Sequence, residues 1–349
     1  MQKSIVALAV AGVLAASAVA QAETTLYGSA RIGVEYVQGK GSGKDSSWDV
    51  ANQASRLGVK GSEDLGGGLS AIYQYEFGVN IDGNGTGANN PWGQRLSFVG
   101  LQGGFGTVAL GRQYRPAYTF VSQYTDIFNG NITNPYSLTS NDQRMGNAVA
   151  YVTPTFSGFT AAAAVLMNGG GTNCKPADIA DGRCASSNRE DIDAIEVGAG
   201  YSNGPLNIGV SYSYQPEGGA AVASVSNVFG AEFSHYGIGG SFTSGPFSVG
   251  ASYEYTDFDD NTLGHIQGYG VVLGFDVTPS TTLRGTWGRF DWDKVLDDDL
   301  DTWGLGVEHR LSKRTMVYAE YVDSDMPFYA GEFNDRGGKY ATLGMRHDF

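Results

Sequence analysis

From Leu26 to Tyr36 the chain alternates strictly. Leu26, Gly28, Ala30, Ile32, Val34 and Tyr36 share one parity, while Tyr27, Ser29, Arg31, Gly33 and Glu35 share the other. Successive side chains of a β-strand point to opposite faces, so this segment predicts a strand with one apolar and one polar face. The division recurs along the chain. Leu69, Ala71, Tyr73, Tyr75 and Phe77 oppose Ser70, Gln74 and Glu76, and Leu57 and Val59 oppose Arg56 and Lys60. Leu206 to Tyr214, Phe247 to Tyr255 and Trp303 to Leu311 repeat it, and no helical period persists after residue 22. Alternation by itself also suits a soluble sandwich.

The connections separate the two architectures. Short turns are predicted at Asp64 to Gly67, Gly103 to Phe105, Pro154 to Gly158, Asn203 to Pro205, Ser244 to Pro246, Thr278 to Ser280 and Ser312 to Arg314. Between them lie longer polar segments at 38–50, 81–91, 116–143, 169–190, 217–229, 259–266, 294–299 and 326–337. Seven short turns and eight long loops join sixteen strands, with all short turns at one end. Transmembrane β-barrels sort their connections in this way, with short periplasmic turns and long extracellular loops, whereas a sandwich has no reason to. Strands of ~9 to 11 residues also suit a tilted bilayer crossing. The expected fold is therefore all-β: a 16-stranded antiparallel transmembrane barrel over 23–349.

Composition agrees. Charged residues make up 17% of the 349, glycine reaches 52, and the aromatics are 20 Tyr, 17 Phe and 5 Trp. Mean hydropathy is only −0.20, far below that of a helical membrane protein. The formal charge of −14 excludes a sequence-independent nucleic-acid binder, which needs a basic surface. Aromatics gather toward strand ends, as at Tyr36, Trp48, Tyr212, Tyr253, Trp287, Trp303 and Tyr321, where interfacial girdles would lie. Lumen-side glycines such as Gly33, Gly209, Gly270, Gly274, Gly304 and Gly306 suit curvature and close packing.

The N-terminus gives the compartment. Lys3, the apolar run Ile5 to Ala20 and the Ala20-Gln21-Ala22 site read as a signal peptide over 1–22, cleaved before Glu23. Export also accounts for Cys174 and Cys184, an even pair in a polar segment, expected to form a disulfide across a surface loop. The spacing of these thiols does not suit a zinc site.

TTLYGSARIGVEY at 24–36, ASRLGVKGSEDLGGGLSAIYQYEFG at 54–78, RLSFVGLQGGFGTVALGRQ at 95–113, YSNGPLNIGVSY at 201–212, HRLSKRTMVYAEY at 309–321 and the terminal LGMRHDF resemble the trimeric outer-membrane porins of Gram-negative bacteria. The likeness is to the branch typical of Neisseria and other β-proteobacteria. It implies a homotrimer in the outer membrane, among lipid and lipopolysaccharide, with loop 3, about 116–143, folded into the lumen as a constriction. Phe349 resembles the terminal residue that the barrel-assembly machinery reads. Arg56 and Arg112 lie where the family places wall arginines, Arg144 is a third match, and Arg31 and Arg95 have lumen parity. Asp126 and Asp142 are the acids that loop 3 offers them. Arginines in excess at the narrowest point favour anions, whereas Glu35, Glu76, Glu196 and Glu254 on the lumen face would favour cations. The implied function is passive diffusion of small polar solutes and ions, with a mild anion preference.

The chemistry of catalysis is sparse. His235, His265, His309 and His347 carry no metal-ligand spacing, and no nucleophile elbow or phosphate loop is present. No cofactor, metal or enzymatic activity is expected. The alternative reading is an adhesin or receptor barrel whose long loops bind partners without conduction.

Overall fold

The computed structural model describes residues 23–39, 46–83, 92–130, 143–167, 192–217, 231–294, 299–325 and 337–349. Strands β1 (Glu23–Gly39), β2 (Ser46–Asn52), β3 (Arg56–Gly66), β4 (Leu69–Val79), β5 (Trp92–Gly103) and β6 (Gly106–Tyr114) come first. A short helix α1 (Pro116–Phe120) and a 3-10 turn (Ser122–Tyr124) follow. The chain continues through β7 (Arg144–Val152), β8 (Phe159–Met167), β9 (Ile192–Asn203), β10 (Leu206–Gln215), β11 (Phe233–Ser244) and β12 (Phe247–Phe258). It ends with β13 (His265–Thr278), β14 (Thr281–Trp292), β15 (Leu300–Arg310), β16 (Thr315–Ser324) and β17 (Gly338–Asp348).

From β3 onward each strand pairs antiparallel with its neighbours in sequence, and β1 pairs with β17, so the sheet closes. β2 and β3 both pair with β1, Ile32 opposite Asn52 and Ser29 opposite Arg56, and are two halves of one stave. The seventeen segments therefore make a sixteen-stave barrel. All seven short turns fall where the alternation predicts them. The first long segment is shorter than predicted: β1 runs to Gly39 and strand resumes at Ser46, with Trp48 packed on Tyr36 at 5.0 Å.

The two faces separate sharply. Outward, Leu26, Leu273 and Leu305 are more than half exposed; inward, Glu35, Glu76, Glu196 and Glu254 are all buried. Outward Leu, Val, Ile, Phe and Trp recur on nearly every strand, a far larger apolar surface than a water-soluble monomer exposes. Such a band belongs against lipid, and closure removes the unpaired strand edges that hydrocarbon cannot tolerate. The lumen is not uniformly polar. At the long-loop ends of β11 to β14, Phe233, Phe258, Ile266, Phe290 and Trp292 form a buried cluster, and Trp292 Nε1 donates to the Leu263 carbonyl at 2.6 Å.

Candidate functional site: the lumen wall and the segment across it

Residues 115–130 leave β6 and lie against the inner wall. Arg115 N donates to the Gln143 carbonyl, and Pro116 opens α1, where its missing N–H and fixed φ are tolerated. What lets the segment approach the wall is glycine. A Cβ at Gly209 would stand 2.2 Å from the Phe120 carbonyl oxygen, one at Gly250 2.1 Å from that of Tyr124. Gly198 and Gly200 accept the Phe120 ring, Gly237 and Gly239 accept Val121, and Gly306 meets Phe128. The expectation that lumen glycines serve curvature is thus extended: Gly209 and Gly306 make room for this segment.

Four wall carboxylates hold it. Glu196 accepts from Arg115 Nε at 3.1 Å and from the Ala117 N–H at 2.8 Å, with both side chains of the ion pair fully buried. Glu254 accepts from Ser122 Oγ at 2.9 Å. Glu320 takes the Asn129 and Gly130 N–H groups at 2.7 and 2.8 Å, one on each oxygen. Glu308 accepts from Asn129 Nδ2 at 3.3 Å and pairs with Arg284, whose other nitrogen donates to the Ile127 carbonyl.

Strands β17, β1, β3, β5, β6 and β7 carry a second set of arginines. Arg31 faces Arg346 in direct register between β1 and β17, and Ser29 faces Arg56 between β1 and β3. Arg31 feels the positive charges of Arg56, Arg346 and Arg95 and the negative charge of Asp348. Like charges in register repel. Here Asp348 relieves the repulsion by accepting from Arg346 at 2.9 and 3.0 Å, and Arg31 Nε donates to Ser29 Oγ at 2.9 Å. Arg95 pairs with Glu76 at 2.6 Å, and Glu76 also lies within electrostatic reach of Arg56. Arg112 and Arg144 follow on β6 and β7, and the charges of Arg95 and Arg112 act on Arg144.

Tyrosines join this wall to the crossing segment. Tyr114 and Tyr118 stack at 5.3 Å, and the Arg144 guanidinium lies over the Tyr114 ring at 5.5 Å. Asp126 accepts from Tyr118 Oη at 2.9 Å and from Gln143 Nε2 at 3.2 Å. Gln143 Oε1 in turn accepts from Arg144 Nη1 at 3.1 Å, so one amide links the acid to the arginine. Burial first, then the Asp126 carboxylate, pushes the Tyr118 phenol well above its ordinary value and keeps it a neutral donor.

The structure thus brings Arg31, Arg56, Arg95, Arg112 and Arg144 onto one inner wall and sets Asp126 beside Arg144. Asp142, Cys174, Cys184 and residues 1–22 lie outside the described residues. Phe349 exchanges two backbone hydrogen bonds with Gly28, and its ring covers that glycine. Sequence reasoning missed Arg346, although its parity opposite Leu343, Met345 and His347 marks it as lumenal. It also missed Arg115, whose place outside any strand gives no parity to read.

A family model for Gram-negative porins matches residues 7–326. The chain belongs to the Gram-negative porin family. Outer membrane porin protein 32 of Delftia acidovorans is 30% identical over 339 residues, which cover 91% of this chain and 88% of that protein. Major outer membrane protein P.IB of Neisseria gonorrhoeae is 36% identical over 170 residues, so the chain spans about half, 47%, of that relative. Among solved structures, an anion-selective porin from Comamonas acidovorans has a TM-score of 0.75 at 24% identity, covering 94% of this chain and all of that one. The Salmonella typhi OmpF complex with daunomycin has a TM-score of 0.69 at 16% identity, covering 93% and 97%. At those identities the structures attest the porin barrel, and the relatives place this porin in the outer membrane.

Proposed function

We propose that this porin is a passive diffusion channel for small hydrophilic solutes and ions, with a mild preference for anions. A sixteen-stave barrel is wide enough for an aqueous path, and a segment laid along the inside of its wall narrows it. One observation carries the selectivity: six arginines line the wall at 31, 56, 95, 112, 144 and 346, while Glu196, Glu254, Glu308 and Glu320 are engaged by the crossing segment. Glu76 is engaged by Arg95, and Glu35 by Gln53 and Tyr340. The acids that would attract cations thus face partners, and charged walls of Arg favour anions. The Comamonas acidovorans structure, named for anion selectivity, supports the same sign.

The channel works as a homotrimer set among outer-membrane lipid and lipopolysaccharide, in keeping with the trimeric Vibrio cholerae neighbour. Export by residues 1–22, a Cys174–Cys184 disulfide, a contribution of Asp142 to the narrow passage and recognition of Phe349 by the barrel-assembly machinery complete the reading. No step in it is catalytic. Planar-bilayer recording tests the reading. Ohmic steps that close in threes are expected; pure, folded protein that inserts without stable conductance contradicts it.

A further inference from the structure

Of the four histidines, His235 alone is buried: it is 3% exposed, on the inner face of β11. We propose that His235 is a proton-operated switch that acts through Glu254 on Ser122 of the infolded segment. Protonation of the ring firms the segment, and loss of the proton loosens it. The proposal rests on the channel reading and adds a regulation of the passage by pH.

The contacts around the ring carry it. Nδ1 lies 2.9 Å from Thr256 Oγ1, and Nε2 lies 3.5 Å from Glu254 Oε2, buried and without a hydrogen bond. Both neighbours can accept, and a ring that donates from both nitrogens at once is an imidazolium. The surroundings thus suit the charged form, in which an Nε2–H would meet a carboxylate. The other oxygen of that carboxylate, Oε1, accepts from Ser122 Oγ at 2.9 Å, so the proton and the segment act on one side chain. A charge-assisted hydrogen bond from the ring holds the carboxylate more firmly than a neutral one. Ser122 opens the 3-10 turn that ends at Tyr124, and its carbonyl accepts from the Thr125 N–H at 3.1 Å, so those amides feel a shift at Ser122.

Few other charges face the ring. β10 presents Ser211 and Ser213, β12 presents Glu254 and Thr256, and β13 sets Gly268 and Ile266 opposite these two. Val121 packs on Gly237 from the segment side. On β9, Glu196 stands opposite Ser213 and is taken by Arg115. Among the described residues, Glu254 is therefore the charged group that touches the ring.

The experiment is amide hydrogen exchange on the folded protein in detergent, read at Tyr124 and Thr125 as protection relative to an unstructured chain at the same pH. It runs from about pH 5 to about pH 8, the interval in which imidazoles change charge. Wild type is compared with His235→Gln and Glu254→Gln. Protection is expected to fall about three-fold or more across the interval in wild type, as a charge-assisted contact becomes a neutral one, and to stay level in both variants. A smaller step in wild type, or a step that persists in either variant, overturns the proposal. Should a variant not fold, NMR of the isotope-labelled ring in wild type decides: a ring that changes protonation state in step with the protection supports the switch, and one that keeps a single state overturns it. Open-channel current noise should rise over the same interval, and noise that ignores the step overturns the role in the passage. Exchange and NMR are read without current, so a protein that never conducts overturns the channel reading and leaves the switch to be judged on the amides.

Discussion

Arginine suits the wall because its guanidinium stays charged in a lumen that partly desolvates it, where a lysine could lose its proton. Arg56 and Arg144 are the pair to test, since one faces β1 and the other meets Tyr114 and Gln143. The double variant Arg56→Ala plus Arg144→Ala should move the reversal potential toward cations; an unchanged value removes these residues from the selectivity. Gly209→Ala is expected to displace the crossing segment, at a cost of about 1–3 kcal/mol for overpacking. A lowered thermal midpoint and an altered conductance check it. Tyr118 offers a pH prediction. Its raised pKa means that the stability linked to the neutral phenol, which burial and Asp126 favour, is fully present below the ordinary tyrosine value and is lost only as pH climbs from there through the raised one. Tyr118→Phe should therefore loosen the segment equally at about pH 6 and about pH 9, as read by amide exchange at Asp126. A loosening confined to the lower pH would contradict that assignment.

The elements show which parts of the fold a sequence discloses. Strands and short turns were legible because alternation has a period of two and six of the seven turns carry Gly or Pro. The break between β2 and β3 was not, because its positive φ of 60° falls on Ala54 instead of glycine. That break has a use. Gln53 turns inward to Glu35, and Ser55 exchanges hydrogen bonds with the Arg31 backbone at 2.8 and 2.9 Å, steadying the strand that presents Arg31. A left-handed alanine costs about 1–2 kcal/mol, partly offset in a glycine by its greater unfolded-state entropy. Ala54→Gly should therefore raise the thermal midpoint slightly, and a fall would show that Ala54 is unstrained. The carboxylate anchors were illegible for another reason. Parity assigns Glu196 and Glu320 to the lumen, but their partners lie 81 and 190 residues away in sequence, and no local pattern reports that.

At the scale of the whole molecule, the formal charge of −14 and the proposed anion preference point in opposite directions. Location reconciles them. Much acid lies away from the arginine wall, as where Arg289 pairs with Asp299 and Asp301, and the lumenal acids are paired. Screening decides which charges a permeating ion feels: the Debye length is about 8 Å at physiological salt and about 3 Å at 1 M. Selectivity set at a narrow wall should thus weaken as salt is raised while conductance grows. The most direct test of the account is the zero-current potential of wild-type protein across a tenfold potassium chloride gradient. Its sign should be that of chloride permeating faster than potassium, and the opposite sign would refute the anion preference.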